Sequence, residues 1–120
     1  MHELALADAI VQICREHARG RRVTRVEVKI GFLRQVVPDS LAFAFELVAS
    51  GTEVDGAQLA VEQIPARVAC NTCGAETTIE WFPLACAHCG GLDVELIAGE
   101  ECQVEALELE EKEEEESVAV

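Results

Sequence analysis

The sequence is poor in aromatic residues and in positive charge. Of its 120 residues half are apolar, yet only one Trp and four Phe are aromatic, so the core must be built from Val, Leu, Ile and Ala. Nine Lys and Arg stand against 23 Asp and Glu, a formal net charge of −14. Because binding of nucleic acid requires cations that neutralise phosphates, this balance argues against a nucleic-acid-binding protein, zinc-ribbon transcription factors included. It favours metal cations or basic proteins as partners.

Other absences narrow the class of protein further. No apolar run is long enough to span a membrane, and no secretory signal is visible. The sequence has no Gly-rich loop ending in Lys-Ser or Lys-Thr that could hold a nucleotide phosphate, and no pattern that pairs a nucleophile with a base. The sequence therefore does not predict an enzyme. Six cysteines, four of them in metal-binding spacing, suit a reducing compartment, so we expect a cytoplasmic protein.

The strongest motif is a pair of Cys-x-x-Cys-Gly segments at residues 70–74 and 86–90. Their cysteines, Cys70, Cys73, Cys86 and Cys89, supply four thiolates, which is the number that a tetrahedral structural Zn²⁺ site needs. A site with four protein ligands has no open position for water or substrate, so its role is structural. Two disulfides, or a rubredoxin-like iron centre, are the alternatives. His88, inside the second motif, is interpreted as facing solvent rather than as a ligand.

The apolar periodicity predicts two helices and a small set of strands. Both helices have an apolar stripe at steps of three and four residues, and the strands alternate apolar and polar positions. The predicted helices are Glu3–Arg19, and one that begins at Pro38 and ends near Ser50-Gly51; the predicted strands are Val26–Ile30, Gln58–Ile64, Val94–Ile97 and Cys102–Leu109.

We therefore predict an α+β fold, a three-stranded sheet with two helices plus an inserted zinc-ribbon module. Residues 1–69 with 94–110 form the main α/β domain, and residues 70–92 form the zinc-binding module. Residues 111–120 are expected to be an acidic disordered tail, since Glu108–Glu116 alone contains seven Glu and one Lys.

Three further side chains have ordinary structural interpretations. Cys14 falls in the apolar stripe of the first helix, so we expect an inert buried thiol. His17 lies near the end of that helix, where the helix dipole favours a cation. Asp39 follows the helix-starting Pro38 and is interpreted as a cap or first-turn carboxylate, although it could also face a bound metal.

The first three residues, Met1-His2-Glu3, offer a second metal site. Aminopeptidases that remove the initiator methionine generally need a small second residue, so Met1 should keep its free amine. This amine, the deprotonated amide of His2 and the His2 imidazole can form adjoining chelate rings, an arrangement that suits Ni²⁺ or Cu²⁺ better than Zn²⁺. Glu3 can add an oxygen ligand, donate its amide nitrogen, or orient the imidazole.

Taken together, several segments resemble the HypA/HybF family of hydrogenase-maturation nickel chaperones. They are the Met1-His2-Glu3-Leu4 start, Lys29-Ile30-Gly31, the segment from Val37 to Glu46, Gly51-Thr52, Gly56-Ala57 and both Cys-x-x-Cys motifs. The resemblance runs from Met1 to about Glu110. Relatives often have an acidic residue just before the helix-starting proline, where this chain has Val37, which makes an oxygen ligand from that loop doubtful unless Asp39 substitutes.

The resemblance implies a nickel metallochaperone with structural zinc. Ni²⁺ would be bound mainly by His2, with the Met1 amine and Glu3 contributing, and Zn²⁺ by the four cysteines of the two motifs. The cargo would be delivered to the large subunit of [NiFe] hydrogenase with the partner GTPase HypB, and in some bacteria to urease. A purely structural zinc-ribbon adaptor between proteins is the alternative function, and a rubredoxin-like electron carrier is a third.

Overall fold

The computed structural model describes residues 2–110 of the chain. The helices and strands, in chain order, are α1 (His2–Ala18), β1 (Val23–Gly31), α2 (Pro38–Ala49), β2 (Gln58–Ile64), β3 (Ala66–Cys70), β4 (Glu76–Ile79), β5 (Val94–Ala98) and β6 (Cys102–Leu109), with a short 3₁₀ helix at Phe32–Arg34. Among these residues no helix has both the length and the apolar character that crossing a membrane would require.

The chain divides into two compact units. The first comprises the chain up to Val28, Val37–Ala60 and the chain from Val104 onward; the second comprises Lys29–Val36 and Val61–Gln103. The second unit therefore takes in strands on both sides of the 70–92 module expected from the sequence. The tail expected over residues 111–120 lies outside the described residues.

The first unit contains both helices, which pack against each other along their apolar stripes. Helix α1 buries Ala7, Ile10, Val11, Cys14 and Ala18, and α2 buries Leu41, Ala44, Phe45 and Ala49. Helix α1 ends where Arg19 and Gly20 adopt positive φ values of 52° and 85°, a left-handed turn that glycine accommodates without strain. Both predicted helices are confirmed to within one or two residues.

Two three-stranded sheets are present in residues 2–110. The first has the strand order β2-β1-β6 and is the sheet expected from the alternating segments. The second has the order β4-β3-β5, with β3 antiparallel to both neighbours. The sequence interpretation missed β3 and β4, and it did not foresee that Val94–Ala98 pairs with β3.

The second sheet has a small core of its own within the second unit. Ala66, Val68 and Ile79 are buried there, and Phe32, Leu33, Leu84, Val94 and Leu96 pack against them. Gly31 lies so close to the backbone of Gly99 that a Cβ at position 31 would overlap the Gly99 carbonyl. Since β3 ends at Cys70 and β5 begins at Val94, the two neighbouring strands hold both ends of the segment that contains the cysteine motifs.

Candidate metal centres

The four motif cysteines converge on one point in the second unit. Their sulfur atoms all lie within 4.8 Å of one another. The Cys70 and Cys89 sulfurs are 3.7 Å apart, and those of Cys73 and Cys86 are 3.5 Å apart. Four sulfurs at about 2.3 Å from a central Zn²⁺ in a tetrahedron are about 3.8 Å from each other, so the cluster fits a tetrahedral four-thiolate metal site. Sulfurs in a disulfide lie about 2.05 Å apart, and all six cysteines are free thiols in the structure.

The two motifs fold into the same local turn. The N–H of Cys70 donates to the carbonyl of Ala75, and that of Gly74 donates to the carbonyl of Cys70. The equivalent bonds in the second motif run from Cys86 to Gly91 and from Gly90 to Cys86. Gly74 and Gly90 have φ values of 79° and 74°, which explains why each Cys-x-x-Cys pair is followed by glycine.

Backbone donors inside each turn stabilise the charge on its first sulfur. The N–H groups of Cys73 and Thr72 lie 3.4 Å from the Cys70 sulfur, and they lower the pKa of Cys70. The N–H groups of Cys89 and His88 act in the same way on the second motif and lower the pKa of Cys86 to about 6. These backbone N–H groups favour the thiolate form that a metal requires.

The second sulfur of each motif has the opposite preference. The N–H of Ala75 acts to lower the pKa of Cys73, but the neighbouring Cys86 and Cys70 sulfurs and burial outweigh it, and the pKa rises to about 11. The N–H of Gly91 acts similarly on Cys89 and is outweighed by the Cys70 and Cys86 sulfurs, so the pKa of Cys89 is also raised. Without a metal, the cluster thus combines thiolates with thiols that donate to them.

Contacts between each motif and a residue outside it position the two turns. The side chain of Asn71 donates to the Asp93 carboxylate at 3.0 Å, and the Asn71 N–H donates to the Asp93 carbonyl at 2.9 Å. The N–H of Ala87 donates to the Thr77 hydroxyl at 3.0 Å. These bonds fix the first turn beside the start of β5 and the second beside β4. Neither has a sequence signal, because each joins residues that are 10 or more positions apart.

The start of the chain forms a different kind of candidate site in the first unit. His2 is the first residue of α1 and is exposed, while Met1 lies outside the described residues. Glu3, in the same turn, accepts a hydrogen bond at 3.0 Å from the N–H of Val37. This N–H is the strongest influence that lowers the pKa of Glu3 below its usual 4.5, and the nearby His2 contributes.

The contact with Val37 brings the start of α2 close to the start of α1. Val37 is the N-cap residue of α2, Pro38 follows at the first helical position, and no side chain caps the helix. Of the two roles expected for Asp39, a cap or a first-turn carboxylate, the structure shows the second, and the side chain is exposed. An acidic side chain there is favoured by the helix dipole.

The remaining histidines and cysteines are placed as follows. His88 is exposed, and its backbone rather than its ring acts on a cluster sulfur. His17 is exposed near the end of α1, with Nδ1 at 3.0 Å from the Ile13 carbonyl. Cys14 is fully buried, as expected, and burial raises the pKa of its thiol to about 11. Cys102 is exposed.

Comparison with known proteins matches nearly the whole described chain to one family of proteins. The family model described as "Hydrogenase/urease nickel incorporation, metallochaperone, hypA" matches residues 1–109. The hydrogenase maturation factor HypA of Geotalea uraniireducens is 42% identical over 110 residues, which cover 92% of this chain and 100% of that protein. HypA of Trichormus variabilis is 40% identical over 111 residues, which cover 92% of this chain and 97% of that protein.

A solved structure shares the fold. The solution structure of the Ni metallochaperone HypA from Helicobacter pylori superimposes with a TM-score of 0.64 and 24% sequence identity, over 91% of this chain and 97% of that one. Since the two sequences are this different, the likeness concerns the arrangement of helices and strands.

Proposed function

Because this chain belongs to the HypA family of nickel-incorporation metallochaperones, whose members are maturation factors rather than catalysts, we propose that it binds Ni²⁺ at its first three residues and delivers it to [NiFe] hydrogenase. The ligands are the Met1 amine, the amide nitrogen and imidazole of His2, and Glu3. The GTPase HypB and the hydrogenase large subunit are the partners in the cytoplasm, and urease is a further recipient. Zn²⁺ held by Cys70, Cys73, Cys86 and Cys89 has a structural role.

The observation that carries the nickel proposal is that α1 begins at His2. The first N–H groups of a helix have no acceptor within the helix. The His2 amide can therefore lose its proton to a metal without breaking a helical hydrogen bond. Its imidazole is exposed and therefore accessible to an ion in solvent. The donors are nitrogens in the pattern that Ni²⁺ prefers.

The same location favours release of the ion. The positive end of the α1 dipole lies at His2, and it opposes a bound cation by about 0.3–1 kcal/mol at exposed sites. The Glu3 carboxylate, with its pKa lowered by the N–H of Val37, offsets part of this repulsion. An exposed site with an opposing dipole suits an ion that must be passed on.

The zinc site supports delivery only indirectly. Four thiolates fill the tetrahedral shell, so this centre has no position for a second cargo ion. What Zn²⁺ supplies when bound is a fixed cross-link among four sulfurs. The chain's own residues then hold the two turns through Asn71, Asp93 and Thr77.

The decisive experiment is a calorimetric nickel titration of protein with an authentic N-terminus. We expect one Ni²⁺ per chain, and we expect His2→Ala to abolish this binding while zinc content and circular dichroism stay unchanged. His17→Ala is the matched control, since it removes an exposed histidine from the other end of the same helix and should leave the titration unaltered. Undiminished nickel binding in His2→Ala would overturn the proposed site, and no nickel binding by the wild-type protein would favour a purely structural zinc-ribbon adaptor.

A further inference from the structure

The two cysteine motifs use their backbone N–H groups in the same pattern. In each five-residue motif, the first N–H donates to the carbonyl of the residue that follows the motif, and the fifth donates to the carbonyl of the first cysteine. The third and fourth N–H groups are directed at the sulfur of the first cysteine. The second N–H, that of Asn71 or Ala87, donates instead to a residue distant in sequence.

The acceptors of these two N–H groups differ in kind. The N–H of Asn71 donates to the Asp93 carbonyl at 2.9 Å, and the Asn71 side chain donates to the Asp93 carboxylate at 3.0 Å. The N–H of Ala87 donates to the Thr77 hydroxyl at 3.0 Å, and the methyl group of Ala87 can form no hydrogen bond beside it. The first motif is therefore held by a main-chain bond together with a side-chain bond, whereas the corresponding N–H of the second motif depends on one hydroxyl.

Strand pairing reaches the first motif but not the second. Cys70 is the last residue of β3 and lies opposite Val94 of β5 in the strand register. Cys86 lies outside the strands, beyond the end of β4 at Ile79. Folded chains open locally where such connections are fewest. Removing the Thr77 hydroxyl should therefore loosen the second motif more than any single side-chain change at Asn71 loosens the first.

We propose that Thr77 is a positioning residue of the zinc site, and that the metal is released from the second motif, Cys86 and Cys89, before the first. The inference rests on the four-thiolate zinc site proposed above and is independent of the nickel site. Thr77 acts on Cys86 through the N–H of the neighbouring Ala87. Hydrogen bonds around a metal site hold its ligands in place, and losing one typically weakens metal binding by about 10-fold to 100-fold.

Two substitutions of Thr77 separate its hydroxyl from the shape of its side chain. Thr77→Val keeps the shape but places a methyl group at the position of the hydroxyl, so the N–H of Ala87 loses its acceptor. Thr77→Ser keeps the hydroxyl. Thr78→Val is the matched control, because Thr78 is exposed and lies opposite Arg67, on the other face of the sheet from Thr77.

The rate of zinc release to the chromogenic chelator pyridylazoresorcinol tests the role of Thr77. We expect Thr77→Val to release zinc faster than the wild type by about tenfold or more, and Thr77→Ser and Thr78→Val to release it at close to the wild-type rate. Asn71→Ala should have a smaller effect than Thr77→Val, because the main-chain bond to Asp93 remains. An unchanged rate in Thr77→Val, an equal increase in Thr77→Ser, or an equal increase in Asn71→Ala would overturn the proposal.

Hydrogen exchange in the zinc-loaded protein tests which motif opens first. Gly74 and Gly90 form a matched pair, because each follows a cysteine and donates its N–H to the carbonyl of the first cysteine of its motif, at 3.0 and 2.9 Å. We expect Gly90 to exchange faster than Gly74 in the wild type, and Thr77→Val to accelerate Gly90 while Gly74 stays unchanged. A loss of stability throughout the unit would accelerate both glycines equally. That result, or a Gly90 no faster than Gly74 in the wild type, would contradict the proposal.

Zinc content, measured first by elemental analysis, separates this inference from the site on which it rests. We expect about one Zn²⁺ per wild-type chain. A wild-type protein that retains no zinc would remove the four-thiolate site and this proposal with it. A wild-type protein that holds zinc, combined with unchanged release in Thr77→Val, would remove the role of Thr77 alone and leave the zinc site in place.

Discussion

The carboxylate of Glu3 accepts a hydrogen bond from the backbone N–H of Val37 at 3.0 Å, across 34 residues of sequence. It joins the first turn of α1 to Val37, the N-cap residue of α2, whose own side chain forms no cap hydrogen bond. This chain has Val37 just before the helix-starting Pro38, and the carboxylate at this place comes from Glu3 in α1. Glu3 therefore positions the first turn of α1 as well as being a candidate nickel ligand.

Substituting Glu3 should expose the amide of Val37. In Glu3→Ala we expect faster hydrogen exchange of the Val37 N–H, because its acceptor is gone. In Glu3→Gln the side-chain oxygen can still accept, so exchange should be intermediate. The measurement is residue-resolved exchange by NMR, and Glu16→Gln, an exposed glutamate on the same helix, is the control. Equal protection of Val37 in all three variants would mean that the contact is not formed in solution.

Local patterns were enough to predict the helices and the first sheet. The buried stripes that include Ile10 and Cys14 in α1, and Leu41 and Phe45 in α2, follow a period of three to four residues, and such periods are set by neighbours in sequence. The Cys-x-x-Cys-Gly motifs were equally readable, because the turn that places Gly74 at positive φ is contained within five residues.

Contacts between distant residues could not be predicted in the same way. Strand β3 is only five residues long, and its alternation of buried and half-buried positions is hard to see in a sequence where Arg67 is the one polar residue. Strand β4 contains Thr77 and Thr78 and has no strong apolar period. The bonds from Val37 to Glu3 and from Asn71 to Asp93 depend on how the chain returns to itself, which a single sequence does not encode locally.

Removing one motif cysteine should release the zinc-site metal and loosen the second sheet. In Cys86→Ser we expect elemental analysis to lose about one Zn²⁺ per chain, because three thiolates and a hydroxyl bind it much more weakly. Exchange protection of β3 and β5 should fall as well. Cys102→Ser is the matched control, since Cys102 is exposed and lies outside the cluster. Full metal retention in Cys86→Ser would rule out the four-thiolate assignment.

The two cysteines outside the cluster should differ sharply in reactivity. Cys102 is exposed, whereas Cys14 is fully buried with a pKa raised to about 11. In zinc-loaded protein at pH 7.5 we expect iodoacetamide to label Cys102 first and Cys14 only as the first unit unfolds, since the thiolate is the reactive form. Cys102→Ser should remove the fast phase. Rapid labelling of Cys14 would show that α1 is not packed as described.

Two leucines of α2 provide a matched pair for the stability of the first unit. Leu41 is fully buried and Leu47 is 58% exposed. Truncating a buried leucine leaves a cavity, so Leu41→Ala should lower the free energy of unfolding by about 2–5 kcal/mol. Leu47→Ala should change it by no more than about 0.5 kcal/mol, as surface substitutions usually do. Urea denaturation followed by circular dichroism measures both, and similar values for the two would contradict the burial of α2.

Zinc binding to metal-free protein should release fewer than four protons at pH 7.5. The pKa of Cys86 is lowered to about 6, so its thiol has already ionised, and Cys70 is shifted in the same direction. Cys73, raised to about 11, and Cys89, also raised, keep their protons until the metal displaces them. Between two and three protons are therefore expected, counted by calorimetry in buffers of different ionisation enthalpy.

The number of protons released should rise toward four as the pH falls below about 6, because Cys86 then becomes protonated and zinc must displace that proton too. Zinc affinity therefore falls over the same pH range. Release of four protons already at pH 7.5 would mean that the backbone N–H groups do not stabilise the first thiolate of each motif.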